Sequence, residues 1–182
     1  MTLARQLYAM LSIAIIGALA IFATSYIKMN TVYEKTNYVT VNSLPSVLSL
    51  NNAMRLSLRF RLLLWEYITQ DDAQLDLKTK QEINLTLKEL SDEFSKYDAL
   101  ISDDKDKRFL ETEKTILRKY ALLSDELMHI SDHSSKADAS IKMNQSRQTF
   151  KELTATLDDH MKHNLDLAKK GSNVRRSAKL VS

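Results

Sequence analysis

Arg55, Arg59 and Arg61 crowd a turn and a half of one apolar segment, MRLSLRFR over residues 54–61. A guanidinium is a planar fork of donors that matches a carboxylate two bonds at a time. Arg55 and Arg59 are four apart and share a helix face. Arg61 falls on an apolar stripe, where an unpaired charge is costly to bury. One reading is a pocket for a small carboxylate. The other is that the arginines pair with Glu66 or with acids on neighbouring helices, or lay their stems along apolar surface.

Two histidine pairs invite a metal reading. His129 and His133 are four apart, and His160 and His163 are three apart, with Asp132, Asp158 and Asp159 nearby. Such spacing can chelate on a helix face. Both pairs are read instead as solvent-facing polar residues, with no metal. No HExxH, glycine-rich phosphate loop or Ser-His-Asp order occurs. The chain is therefore expected to be no enzyme, with no catalytic residue and no cofactor. It has no cysteine, which removes disulfides and thiol chemistry together. Six basic residues between Lys162 and Lys179 face one acid, Asp166. No aromatic residue interleaves them, so they are read as the solvated face of a helix near a membrane surface rather than a nucleic-acid site.

The elements that must position these residues are helices. Two glycines and one proline in 182 residues leave too few breakers for an all-β fold. Residues 7–27 carry no charged side chain and are about 21 long, enough to cross a hydrocarbon core. Arg5 precedes them, Lys28 follows, and Tyr8 and Tyr26 sit near the ends, where amphipathic rings favour the headgroup level. The competing reading is a cleaved signal peptide ending at Ala18-Leu19-Ala20, but the apolar run continues past it. The expected division is a cytoplasmic tail over 1–6, a transmembrane helix over 7–28 and an extracytoplasmic domain over 29–182.

That domain has helical periodicity throughout. Helices are expected over about 29–70, with a kink near Pro45 and Ser43 as a cap, then over 73–101, 105–131 and 136–182. In the first, one stripe runs Leu44, Val47, Asn51, Met54, Leu58, Arg61, Trp65, Ile68, at the spacing of a bundle seam. A second runs Leu50, Ala53, Ser57, Phe60, Leu64, Tyr67. So wide an apolar face suggests that this helix also meets a second subunit, a homodimer. Short loops make successive helices antiparallel. The fold is expected to be all-α, an antiparallel up-down-up-down four-helix bundle with long first and fourth helices, preceded by a transmembrane helix.

This architecture resembles the four-helix-bundle sensory module of methyl-accepting chemotaxis receptors. The segment Val41-Asn42-Ser43-Leu44-Pro45-Ser46-Val47 and the arginine-bearing helix after it look like the opening of that module. The resemblance implies a ligand-binding chemoreceptor domain, in the bacterial inner membrane with its bulk periplasmic, that passes a small helix displacement across the membrane. The ligand would be a small organic acid or amino acid. Helix-1 arginines would bind it, and Gln145, Gln148, Thr149, Phe150 and Thr154 of the fourth helix would close the site, lined by Trp65 and Tyr67. The same module is similar to sensors of some histidine kinases and diguanylate cyclases. Cytoplasmic signalling partners would be reached only through a region absent from these residues, so the chain is expected to be a fragment or a truncated gene product. An anchored helical scaffold without a small ligand is the alternative.

Overall fold

The computed structural model describes residues 3–38, 42–70 and 72–179. Six helices follow one another: α1 Leu3–Tyr38, α2 Leu44–Thr69, α3 Ala73–Tyr97, α4 Asp104–His133, α5 Lys136–Gln145 and α6 Arg147–Lys179. Val39 to Val41, within the expected kink, and the last three residues lie outside the described ones. Among the described residues there is no strand.

Local sequence sets the helix ends. Pro45 stands in the first turn of α2, where its missing N–H costs nothing. Ser43 takes helical φ and ψ and makes no side-chain cap, so the expected cap there is absent. Asp72 does cap, accepting from the amides of Gln74 and Leu75 at the start of α3. Asp103 accepts from Asp106 N and opens α4, and Ser135 accepts from Asp138 N and opens α5. Helix α3 stops at Tyr97 and tightens into a 3-10 turn over Asp98–Leu100, a common way to end a helix. The fourth expected helix is divided at Ser146. There Ser146 Oγ donates to Met143 O at 2.7 Å, a back-bond of the kind that bends helices.

Cross-helix bonds give the register. Ser49 and Asn52, early in α2, both donate to Glu93, late in α3. Arg61 of α2 reaches Tyr120 of α4, and Tyr67 reaches Asp132. Asp106, early in α4, meets Asn164, late in α6. Helices α2 and α3 are therefore antiparallel, α2 and α4 parallel, and α4 and α6 antiparallel. The α3–α4 turn lies at the pole where α2 begins, called proximal below; the α2–α3 turn marks the distal pole. Helix α6 packs on α2 and α4, and also on α1.

Two apolar clusters fill the bundle. The proximal one gathers Leu50, Ala53, Phe94, Tyr97, Leu110 and Leu153. The distal one gathers Phe60, Leu64, Ile83, Tyr120, Leu127 and Met143. Each leucine, isoleucine, phenylalanine or methionine among them contributes about 1.5–3 kcal/mol when removed from water. The stripe that fills this core is the second of the two on α2: Leu50, Ala53, Ser57, Phe60, Leu64 and Tyr67 are all buried. The stripe expected as the seam lies at its edge, with Leu44 and Leu58 53% exposed. Within α1, Met10–Asn30 has a mean hydropathy of 2.1 over 21 residues and none of it is buried. It is long and apolar enough to cross a membrane.

Candidate functional site

The arginine cluster is divided by the helix itself. Arg61 is two residues beyond Arg59, about 200° around the axis. It turns inward: Nη1 donates to the Tyr120 hydroxyl at 3.0 Å, and Cζ lies 4.6 Å from the centre of the Phe150 ring. Phe60 meets Tyr120 edge-on, and Tyr120 meets Phe150. Burial pushes the Tyr120 hydroxyl pKa up, against the pull of the Arg61 charge. Arg55 and Arg59 face outward. Arg55 Nη2 donates to Asn52 Oδ1 at 2.7 Å, and Arg59 lies 3.4 Å from Glu82 of α3.

The remaining expected residues scatter around this point. Trp65 and Phe150 border the distal cluster. Thr149 is buried, and Thr154 turns its hydroxyl onto Phe150 O. Gln145 and Gln148 are exposed, Gln148 donating to Glu152. Tyr67 belongs to the distal pole, where its hydroxyl donates to Asp132 at 2.5 Å; burial, then that carboxylate, raises its pKa strongly. Arg61, Phe150 and Tyr120 thus meet at one place, whereas Arg55, Arg59 and Tyr67 lie elsewhere.

A second polar group occupies the proximal half. His160 of α6 is fully buried, as are Asp106 and Glu113 of α4. Its Nδ1 lies 3.0 Å from Glu113 Oε1, and its Nε2 bonds Asp106 Oδ1. Asp106 also accepts from the Tyr97 hydroxyl, from both the amide and hydroxyl of Ser102, each at 2.8 Å, and from Asn164 Nδ2 at 3.1 Å. Phe109 stacks on the imidazole at 5.1 Å, and Tyr97 meets it edge-on at 4.9 Å. Burial alone would raise the Asp106 carboxyl; the bonds from His160, Ser102 and Tyr97 outweigh it and hold the pKa well below the usual range. At His160 burial opposes the charge, but the two carboxylates prevail and raise its pKa. At Glu113 burial dominates and the pKa is raised.

The sequence matches the family model of a four helix bundle sensory module for signal transduction over residues 1–176. The chain belongs to this family. No curated protein matches it. The family is a sensory signalling module and not a catalytic domain.

The buried chain of this sensory module corrects one expectation: His160 does not face solvent. It follows Leu153 by seven residues and Leu157 by three, so it sits on the seam, while Met161 beside it is half-buried. Its neighbour His163 is also largely turned from solvent, its side chain 12% exposed, and reaches Asp103 at 3.0 Å. His129 and His133 are exposed, their rings stacked at 4.3 Å. Among the described residues no group of histidines and acids converges to hold a metal ion. The signal for the buried chain was present. Asp106, Glu113, Tyr120 and Leu127 repeat every seven residues, so two acids occupy seam positions that apolar residues normally take.

Proposed function

We propose that the module works as a homodimer that receives a small carboxylate, an amino acid or organic acid, on the outward face of α2. The observation that carries this reading is an exposed leucine seam with an arginine inside it. Leu44, Leu48, Leu58 and Leu62 are all more than half exposed. With Asn51 and Arg55 they keep the alternating four-three spacing of a coiled-coil seam. A second copy anchored in the same membrane would lie parallel to the first. Two Arg55 side chains would then face each other across the pairing axis, and an anion between them would relieve the repulsion. Arg59, four residues on, would offer a second cation from the same face.

The output follows from what α2 holds. Arg61 ties α2 to α4 and α6 through Tyr120 and Phe150. Ligand pressure on α2 would shift α6 by about 1–2 Å, the scale of interface helix movements. Helix α6 runs beside α1, which in this reading spans the inner membrane with the bundle on the periplasmic side.

Calorimetry of the full chain in lipid nanodiscs, titrated with amino acids and short dicarboxylates, tests the site. Arg55→Ala or Arg59→Ala is expected to weaken binding about tenfold or more. Unchanged affinity in both variants would overturn it. A second reading, an anchored scaffold without a small ligand, is favoured by the partners the arginines already have: Asn52 for Arg55, Glu82 for Arg59, Tyr120 for Arg61. A persistent dimer that takes up none of these acids would support that reading instead.

A further inference from the structure

We propose that the buried Glu113–His160–Asp106 chain is a proton-binding site, and that a proton on Glu113 Oε2 clamps α6 to α4, giving the bundle a pH input separate from any ligand on α2. The geometry carries this. Three ionisable side chains lie in line, all fully shielded from solvent. Asp106 Oδ1 and Oδ2 accept from four neighbours. Glu113 Oε1 faces His160, but Glu113 Oε2 is buried with no hydrogen-bond partner. A fully buried carboxylate oxygen without a donor is costly when charged.

The charge count points the same way. Protonated His160 and ionised Asp106 cancel. An ionised Glu113 then leaves one negative charge in the core, and a proton on Oε2 removes it. Among the described residues, the hydrogen-bond partners of the three groups include no further cation. Tyr97 of α3 donates its hydroxyl to Asp106 and accepts from the Asn164 amide. The α3–α4 turn brings Ser102, and α6 adds the neutral amide of Asn164. At the rim, His163 of α6 faces Asp103 of α4, with Phe109 between it and His160, and Lys105 lies over the outer side of Phe109.

Both titrating groups act in one direction. Glu113 is raised from 4.5, so the folded state holds a proton that the unfolded chain releases above that value. His160 is raised from 6.5, so its contribution is complete below 6.5 and is lost as pH rises through its folded value. Asp106 is lowered from 3.8 and is lost only in strong acid. The clamp is therefore tight in mild acid and loosens toward alkaline pH. It joins α4 to α6, the helix that runs beside α1.

The chain has no cysteine, so spin labels can be placed at Lys119→Cys on α4 and Lys151→Cys on α6, both exposed. In the full chain in nanodiscs, the label separation and the amide protection of residues 153–164 are followed from about pH 4.5 to about pH 9. Protection is expected to fall about tenfold as the separation distribution shifts. Glu113→Gln places an N–H where the proton would be, and is expected to reduce both responses to the part that His160 carries against Asp106. An unaltered wild-type profile in Glu113→Gln, or a separation invariant with pH in the wild type, would overturn the proposal. Should Glu113→Gln not fold, the His160 ring resonances of the wild type decide: a midpoint at the ordinary histidine value, with no change in separation, rejects the clamp.

Discussion

Arg61 Cζ lies 4.6 Å from the centre of the Phe150 ring, while its Nη1 donates to the Tyr120 hydroxyl. One cation thereby joins α2, α4 and α6. A guanidinium satisfies this site because it offers a flat π-face to the ring and an N–H to the phenol at once. The residue most deeply placed in the expected ligand cluster is a junction within one chain.

Arg61→Ala is expected to cost about 1–3 kcal/mol of stability in urea unfolding, because it removes a hydrogen bond and a cation–π interaction together. Arg61→Lys should recover less than half, because an ammonium cannot stack and donate in that geometry. Stability equal to wild type in Arg61→Ala would show the side chain to be uncommitted to the fold.

Asp106→Asn removes the charge on which four neighbours converge. Breaking a buried charge pair by removing one partner costs about 3–5 kcal/mol, and that loss is expected at neutral pH. The wild-type contribution is present above the unfolded value of 3.8 and disappears as pH falls through the depressed folded value. The acid limb of a stability-against-pH curve should therefore be shallower in the variant. Equal slopes in strong acid would reject the assignment.

Leu58→Glu with Leu62→Glu places two charges on the exposed seam. Both positions are more than half exposed in the monomer, so intrinsic stability should move by no more than about 0.5 kcal/mol each. The homodimer is expected to dissociate, visible in sedimentation equilibrium of the full chain in detergent. A dimer that survives the double substitution places the interface on another face.

Asp72→Ala removes the side chain that accepts from Gln74 N and Leu75 N. A lost N-cap costs about 1 kcal/mol, and hydrogen exchange should quicken first in the opening turn of α3. Ser43→Ala should show no such effect at α2, since Ser43 makes no cap bond.

The architecture was legible because it rests on local rules. Apolar residues at three-four spacing, Asp72 before α3 and the uncharged run near the N-terminus each report on their own neighbourhood. The division of the last helix at Ser146 was not legible, because a serine back-bond forms or fails according to the packing around Met143. The choice between two apolar stripes on α2 was hidden for a related reason. Both have the right period, and which one turns inward depends on the helices that arrive against it.

The candidate site divides along the same line. Sequence by itself determined that α2 carries three arginines, that two share a face and that the third does not, because helical geometry is a local property. The seven-residue spacing of Asp106, Glu113, Tyr120 and Leu127 is local in the same way. Tertiary structure alone decided what those residues meet: Phe150 under Arg61, and His160 between two carboxylates. Those pairings lie at least 47 positions apart in the chain. No periodicity reaches across such separations; they exist because a charged side chain buried on one helix is costly without a partner from another.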